Sequence, residues 1–225
     1  MEAPTPFDRL GVVKYPGSSI TPGFLYHDLP FEEYAHLPVH RSGTRERVAH
    51  MARHFDFFGE RGLDIGCAVG GVSFALSKEG AEMHGIDADP AAVEAAAVVA
   101  LEREADCRFS VCTVPSVEFT HFIGNGGFDF ALMLSSFMWI AKARGMEMAS
   151  EVMLNLSRCI PVLWFETAQG PEDGMAGDAT PFRSAEDVAA YLRGFYPNVL
   201  DTGVPAPDAW FQRNLFLCWS AGCSM

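Results

Sequence analysis

Basic residues are in short supply in this chain. Its 225 residues hold 16 Lys and Arg against 29 Asp and Glu, a formal net charge of −13. Nucleic-acid surfaces are built from clustered Lys and Arg, so this balance argues against such a partner. Long apolar runs are missing too. No uninterrupted stretch is long enough to span a bilayer, which reads against a membrane protein. The opening "MEAPTPFDRLGVVKYPG" has no basic segment followed by an apolar one, the pattern a secretory signal would need. Cysteine occurs at Cys67, Cys107, Cys112, Cys159, Cys218 and Cys223, but never as C-x-x-C and never in a short-spaced set with histidine. Zinc and redox motifs of that kind are therefore excluded. The thiols read as small, reduced core residues of a cytoplasmic protein.

What is present suits a globular enzyme-sized domain. Hydrophobic residues make up 49% of the chain, and a chain of this length can bury a substantial core. Residues 1–40 carry Pro4, Pro6, Pro16, Pro22, Pro30 and Pro38, a spacing that forbids a long helix. The interleaved Phe7, Tyr15, Phe24, Tyr26, Phe31 and Tyr34 suggest an ordered arm, packed as a cap or lid. Gly43–Phe57 turns helical, with Val48, Met51, Ala52 and Phe55 on one stripe. Arg45, Arg47 and Arg53 fall on the other face and read as solvated. The chain thus divides into an arm and cap helix over 1–57 and a main domain over 58–225.

In the main domain strands and helices alternate. Strands are expected at Gly62–Gly66, Met83–Asp87, Arg108–Cys112, Phe128–Leu134 and Pro161–Thr167. Helices are expected at Gly70–Glu79, Ala91–Glu104, Pro115–Phe122, Met146–Arg158 and Ala185–Phe195. Asp89 is the N-cap of the second of these, with Pro90 at its first position. "AQGPEDGMAGDATP" is a long loop. Two final strands, near Val199–Val204 and Leu215–Trp219, are joined by one loop and should pair antiparallel. The alternation implies right-handed crossovers and a Rossmann-like, doubly wound α/β sheet of seven strands, mostly parallel, with an antiparallel last strand.

The segment "GLDIGCAVGGVSFALSKEGAEMHGIDADP" carries the chemistry. An apolar strand enters a small-residue turn, Asp64-x-Gly66-x-Ala68-x-Gly70-Gly71. The next strand ends in Asp87, about twenty residues on. A small-residue turn lets a ligand approach the backbone, and a strand-end acid can accept hydrogen bonds from two ribose hydroxyls. A P-loop needs G-K-[ST] after its last glycine, and here Gly71 is followed by Val72-Ser73. The G-x-G-x-x-G spacing of a dinucleotide site is also a poor fit, because Gly66 and Gly70 are separated by three residues.

This segment resembles the first two motifs of class I S-adenosylmethionine-dependent methyltransferases. "LDIGCAVGGVSFAL" is similar to D/E-x-G-x-G-x-G, with Ala68 in place of the middle glycine. "HGIDADPAAVEAA" is similar to the second motif. "FDFALMLSSFMWI", "VLWFET" and "RNLFLCW" resemble the fourth, fifth and seventh strands, so the likeness runs in order over roughly residues 40–220. "HRSGTRERVAHMARHFD" is similar to a segment, G-Q-R-x-T-x-x-R, that precedes the first motif in some relatives; Arg41 and Thr44 keep two of its positions.

The resemblance implies S-adenosyl-L-methionine as cofactor. Asp64 would order the turn, Gly66, Ala68 and Gly70 would pass close to the ligand, and Asp87 would hold the ribose. Ala88, Thr113 and Val114 would flank the adenine, with Thr113 standing where many relatives have an acid. Ser135 would lie beside the methionine moiety, and Arg41 would meet its carboxylate. Trp139 is expected as a wall of the acceptor pocket and Glu166 as a strand-end group reaching the substrate. His27, His36, His40 and His121 are candidate bases, His40 first, though packing or solvent can explain any one of them. Trp210 and Arg213 either line the pocket or close the sheet edge. The N/D-P-P-Y/F motif of base N-methyltransferases is absent, since the matching place reads Ser135-Ser136-Phe137-Met138, and no metal-ligand triad stands out. The expected reaction is methyl transfer to oxygen or nitrogen of a small polar metabolite, phosphate and carboxylate oxygens included. The alternative is a non-catalytic S-adenosylmethionine-binding sensor or subunit. The expected partner is a small molecule, with no nucleic acid or membrane, and a homodimer is compatible with the reading.

Overall fold

The computed structural model describes residues 25–169, 179–204 and 213–222. Two short strands, β1 (Leu25–His27) and β2 (Val39–Arg41), pair parallel in a small sheet of their own. Helix α1 (Thr44–Met51) follows, then β3 (Arg61–Ile65), α2 (Gly71–Lys78), β4 (Glu82–Asp87), α3 (Pro90–Arg103) and β5 (Cys107–Val111). The second half holds α4 (Val117–Asn125), β6 (Phe130–Leu134), α5 (Phe137–Cys159), β7 (Val162–Glu166), α6 (Ala185–Leu192), β8 (Asn198–Asp201) and β9 (Phe216–Trp219).

Seven strands form one sheet in the order β5-β4-β3-β6-β7-β9-β8. The pairs from β5 through β7 are parallel, whereas β9 runs antiparallel to both β7 and β8. This is the doubly wound α/β sheet that the alternation predicts. All five residues of β6 are buried, and its alternation feeds two layers. Leu132 and Leu134 join one apolar cluster with residues of α1, α2 and α3. Ala131 and Met133 join another with residues of α4, α5 and α6. Each large side chain so enclosed contributes about 1.5–3 kcal/mol of transfer free energy, so the two layers fix strand register on both faces.

Local chemistry sets the helix boundaries. Asp89 accepts a hydrogen bond from the Ala91 amide at 2.9 Å, with Pro90 opening α3. Ser116 and Ser184 cap α4 and α6 in the same way. Losing one such cap removes about 1 kcal/mol. The helix expected at Met146–Arg158 is instead the second part of α5, which begins at Phe137 and breaks at Gly145 (φ 84°, ψ 161°). A glycine with that backbone looks like a helix boundary in sequence, so the pattern places no helix over the first two turns.

The described part of the cap, residues 25–57, is held by bonds within itself and is tied to the main sheet's helices through Lys78 and through Arg103, which pairs with Glu33. Asp28 accepts from the Thr44 amide and hydroxyl at 3.0 and 2.7 Å. Arg45 and Lys78 both donate to the Pro30 carbonyl. Residues 1–24, and with them most of the expected arm, lie outside the described residues, as does Trp210. The solvated face expected for α1 is corrected at Arg47, which is 5% exposed. A buried carboxylate beneath the helix draws it inward.

Candidate functional site

The carboxyl ends of β3, β4, β5 and β6 surround one cavity of about 490 Å³. Strand order makes this place: the chain leaves β3 toward β4 on one side and toward β6 on the other. Such a reversal opens a crevice at the strand ends. Ser136, at the start of α5, donates to the Ile65 carbonyl at 2.7 Å and ties the two diverging loops together.

The turn after β3 is built for close approach. Gly66 and Gly70 have φ of 79° and 83°, and Ala68 has φ 50°. A methyl group on Gly66 would stand 2.7 Å from the Ser136 Cβ, and one on Gly70 would meet the Phe109 ring at the same distance. Both positions therefore require glycine for backbone and for space. Asp64 lies beneath the turn, 4% exposed, and accepts from the Ser73 hydroxyl at 2.7 Å. Burial pushes its carboxyl up to about 6.

Asp87 closes the other side. One of its oxygens accepts from the Ala68 amide at 2.8 Å and the other from the Asp89 amide at 3.0 Å. It thus locks the glycine turn while its remaining lone pairs face the cavity. Burial raises its carboxyl above the ordinary aspartate value. Asp89 does more than cap α3: its second oxygen is buried, has no hydrogen-bond partner among the described residues, and the residue lines the cavity. Ala88, Thr113 and Val114 complete this end.

Ser135 forms the floor on the other side, 3% exposed and in the left-handed region at φ 67°. That conformation is strained for serine, and a polar network holds it. Its hydroxyl donates to Glu166 Oε1 at 2.6 Å and accepts from Arg213 Nη1 at 2.7 Å and Arg41 Nη1 at 3.2 Å. Glu166 is fully buried. Its carboxylate meets Arg41 at 2.9 Å, Arg47 at 3.1 Å and Arg213 at 3.7 Å. Burial alone would favour the neutral acid, but the three guanidiniums outweigh it and hold the carboxyl well below the usual range. Arg47 is pushed the other way, below its ordinary value, because its own desolvation dominates.

The structure therefore gathers most of the residues singled out from sequence, in two layers. Gly66, Ala68, Asp87, Ala88, Thr113, Val114, Ser135 and Trp139 line the cavity. Asp64, Gly70, Arg41 and Glu166 do not line it and support it from behind. Glu166 is locked in its ion-pair cluster and is not presented to a substrate. His40 sits between Val39 and Arg41 on β2, and strand alternation turns it away from Arg41. Sequence reasoning missed Tyr26, Asp89, Arg144 and the joint enclosure of Glu166 by Arg41, Arg47 and Arg213. The conjunction of Glu166 with "RSGTRER" and Arg213 offered no periodic signal. Among the described residues, no group of three His, Cys, Asp or Glu is placed to hold a metal ion, and no helix is long and apolar enough to cross a membrane.

Residues 63–157 match a family model described as a methyltransferase domain. Among solved structures the chain is similar to the bifunctional kinase-methyltransferase WbdD, with a TM-score of 0.72 and 20% identity over 89% of this chain and 45% of that one. It thus spans less than half the length of WbdD. It is also similar to the magnesium protoporphyrin IX methyltransferase ChlM from Synechocystis PCC 6803 with bound SAM (TM-score 0.58, 18% identity, 78% and 76% of the two chains). A third neighbour is the [4+2]-cyclase SpnF (TM-score 0.53, 21% identity, 71% and 61%). No curated protein sequence matches. At these identities the likeness is one of fold.

Proposed function

We propose that the chain, whose residues 63–157 match a methyltransferase-domain model, transfers a methyl group from S-adenosylmethionine to an oxygen or nitrogen of a small polar metabolite. The observation that carries this is the pairing of the Gly66–Gly70 turn with Asp87, whose carboxylate both fixes the turn and faces the cavity. The residues present fit the cofactor. Asp87 and the unsatisfied oxygen of Asp89 offer acceptors to a ribose, and the two glycines leave a cradle that a Cβ would fill.

The bound cofactor supplies a methyl group already activated by its sulfonium. The protein's work is to bind, orient and exclude water. Asp87 and Asp89 take the sugar end. Ala88, Thr113 and Val114 offer a flat contact for the base. Ser135 and Ser136 present the methionine side, and Trp139 walls the acceptor space. Arg41 stands behind Ser135, which it meets at 3.2 Å, and is assigned to the methionine carboxylate through that serine, whose hydroxyl it and Glu166 orient. Glu166 is a positioning residue in this reading. It holds Arg41 and Ser135 and takes no proton. A small-molecule partner in the cytoplasm suits the net charge of −13.

Calorimetry with S-adenosylhomocysteine and with NAD tests cofactor choice, and mass spectrometry of a metabolite panel with deuteromethyl-labelled cofactor tests transfer. The expected result is binding of S-adenosylhomocysteine in preference to NAD, and one labelled product. Tight NAD binding with no response to S-adenosylhomocysteine would overturn the reading.

A further inference from the structure

The first two turns of α5 give the cavity a basic side. Trp139, Ile140, Ala143 and Arg144 all line it, a spacing that puts them on one stretch of helix surface. Arg144 is exposed, and its side chain makes no ion pair or hydrogen bond among the described residues. Lys142 projects its ammonium over the Trp139 ring, 5.2 Å from the centroid, and likewise meets no acid among the described residues. Arg144 thus stands on the cavity wall, with Lys142 beside it on the same helix. The acids that line the cavity, Asp87 and Asp89, follow β4. α5 follows β6, and β3 lies between, a separation of roughly 10 Å at ordinary strand spacing. The cavity is therefore acidic on its ribose side and basic on the side where Trp139 stands.

The same wall holds no base suited to an acceptor. Among the described residues lining the cavity there is no histidine, glutamate or lysine, and the Tyr26 hydroxyl is engaged with Arg41. Both oxygens of Asp87 are engaged by backbone amides, Asp89 lies on the ribose side, and burial keeps the Cys112 thiol protonated. Glu166 is held in its arginine cluster. An alcohol or ammonium acceptor has a proton to lose; a carboxylate or phosphate oxygen is already ionised at neutral pH.

Resting on the methyltransferase reading, we propose that the acceptor is an oxyanion, a carboxylate or phosphate on a small molecule, drawn to Arg144 and Lys142 beside Trp139. Its oxygen lone pair forms the new O–CH3 bond as the S–CH3 bond breaks. The electron pair of that bond stays on sulfur, giving a neutral thioether. One negative and one positive charge disappear together, and no proton moves. Arg144 is a specificity-determining residue whose bidentate fork fits either oxyanion.

The test uses the full chain. S-adenosylhomocysteine binding is measured first, since its absence would sink the methyltransferase reading itself. The saturated complex is then titrated with phenyl phosphate and benzoate, and with benzyl alcohol and benzamide as neutral counterparts. At least one acid is expected to bind and both neutral probes to bind more weakly. Arg144→Gln should weaken the acid by about fivefold to tenfold, the loss of one partly exposed charged contact, while leaving S-adenosylhomocysteine affinity unchanged. Preference between the two acids identifies the acceptor as phosphate or carboxylate. If S-adenosylhomocysteine binds yet neither acid does, the oxyanion assignment is overturned. So it is if the neutral probes bind equally well, or if Arg144→Gln leaves the acid unaffected.

Discussion

Glu166→Gln is the sharpest probe of how this site is held. Glutamine keeps the shape and one acceptor but removes the charge from a carboxylate with no solvent exposure. Around it stand Arg41 at 2.9 Å, Arg47 at 3.1 Å and Arg213 at 3.7 Å, with the Ser135 hydroxyl at 2.6 Å. After the substitution three guanidiniums face one another without their anion, and an amide NH2 is turned against one of them. Removing one partner of a buried ion pair destabilises by about 3–5 kcal/mol. In a chain of this size that lowers the melting temperature by about 6–20 °C. Urea unfolding followed by tryptophan fluorescence would read it as a lower midpoint with an unchanged slope. The pH dependence supplies a sign. Glu166 is held below its unfolded value, so its contribution is complete above about pH 4.3 and is lost as the solution becomes more acidic. The gap between wild type and variant should therefore be constant from pH 8 to 5 and narrow below about pH 4. Arg47→Met should cost much less, because that guanidinium's burial already works against its charge. Equal midpoints for wild type and Glu166→Gln, or a larger loss for Arg47→Met, would refute the claim that one carboxylate organises the cluster.

Asp87→Ala is expected to weaken S-adenosylhomocysteine binding by about 1.5–3 kcal/mol in calorimetry, through the lost acceptor and the released Ala68 amide; normal binding would put the ribose elsewhere. Asp64→Asn tests stability in the opposite direction from Glu166. Its folded value of about 6 stands above the 3.8 of a free aspartate, so ionisation costs stability as pH rises through this range. The variant should be more stable than wild type by up to about 3 kcal/mol at pH 7.5 and no more stable at pH 4, a difference thermal unfolding at the two pH values would show. Arg41→Lys should keep the fold yet raise the dissociation constant of S-adenosylmethionine severalfold, because an ammonium cannot hold Glu166 and Ser135 in the planar arrangement that presents the serine to the cavity; Arg53→Lys, on the exposed side of the chain after α1, is the control that should leave binding alone.

The sheet and its cofactor edge were legible because their signals are local. Apolar runs of strand length, caps such as Asp89 and Ser184, and glycines needed for positive φ act within a few residues and leave their mark in order along the chain. The Gly66–Gly70 turn and Asp87 could be paired from spacing alone, since one crossover helix separates their strands. Arg47 could not be placed that way. Helical periodicity assigns a charged residue to solvent, and only the docking of α1 over the end of β7 puts Glu166 beneath it. Ser135, Glu166 and Arg213 come from three strands' ends or their approaches, and Arg41 from a strand outside the main sheet. Their partnership is a property of the packed molecule. The same holds for Arg144. Sequence assigns its neighbourhood no element, because Gly145 bounds the helical pattern. The tertiary structure continues the helix up to that glycine and so turns Trp139 and Arg144 toward one cavity. Local chemistry determined where strands begin and end. Long-range electrostatics, which carry no period in sequence, decided what stands behind and beside the site.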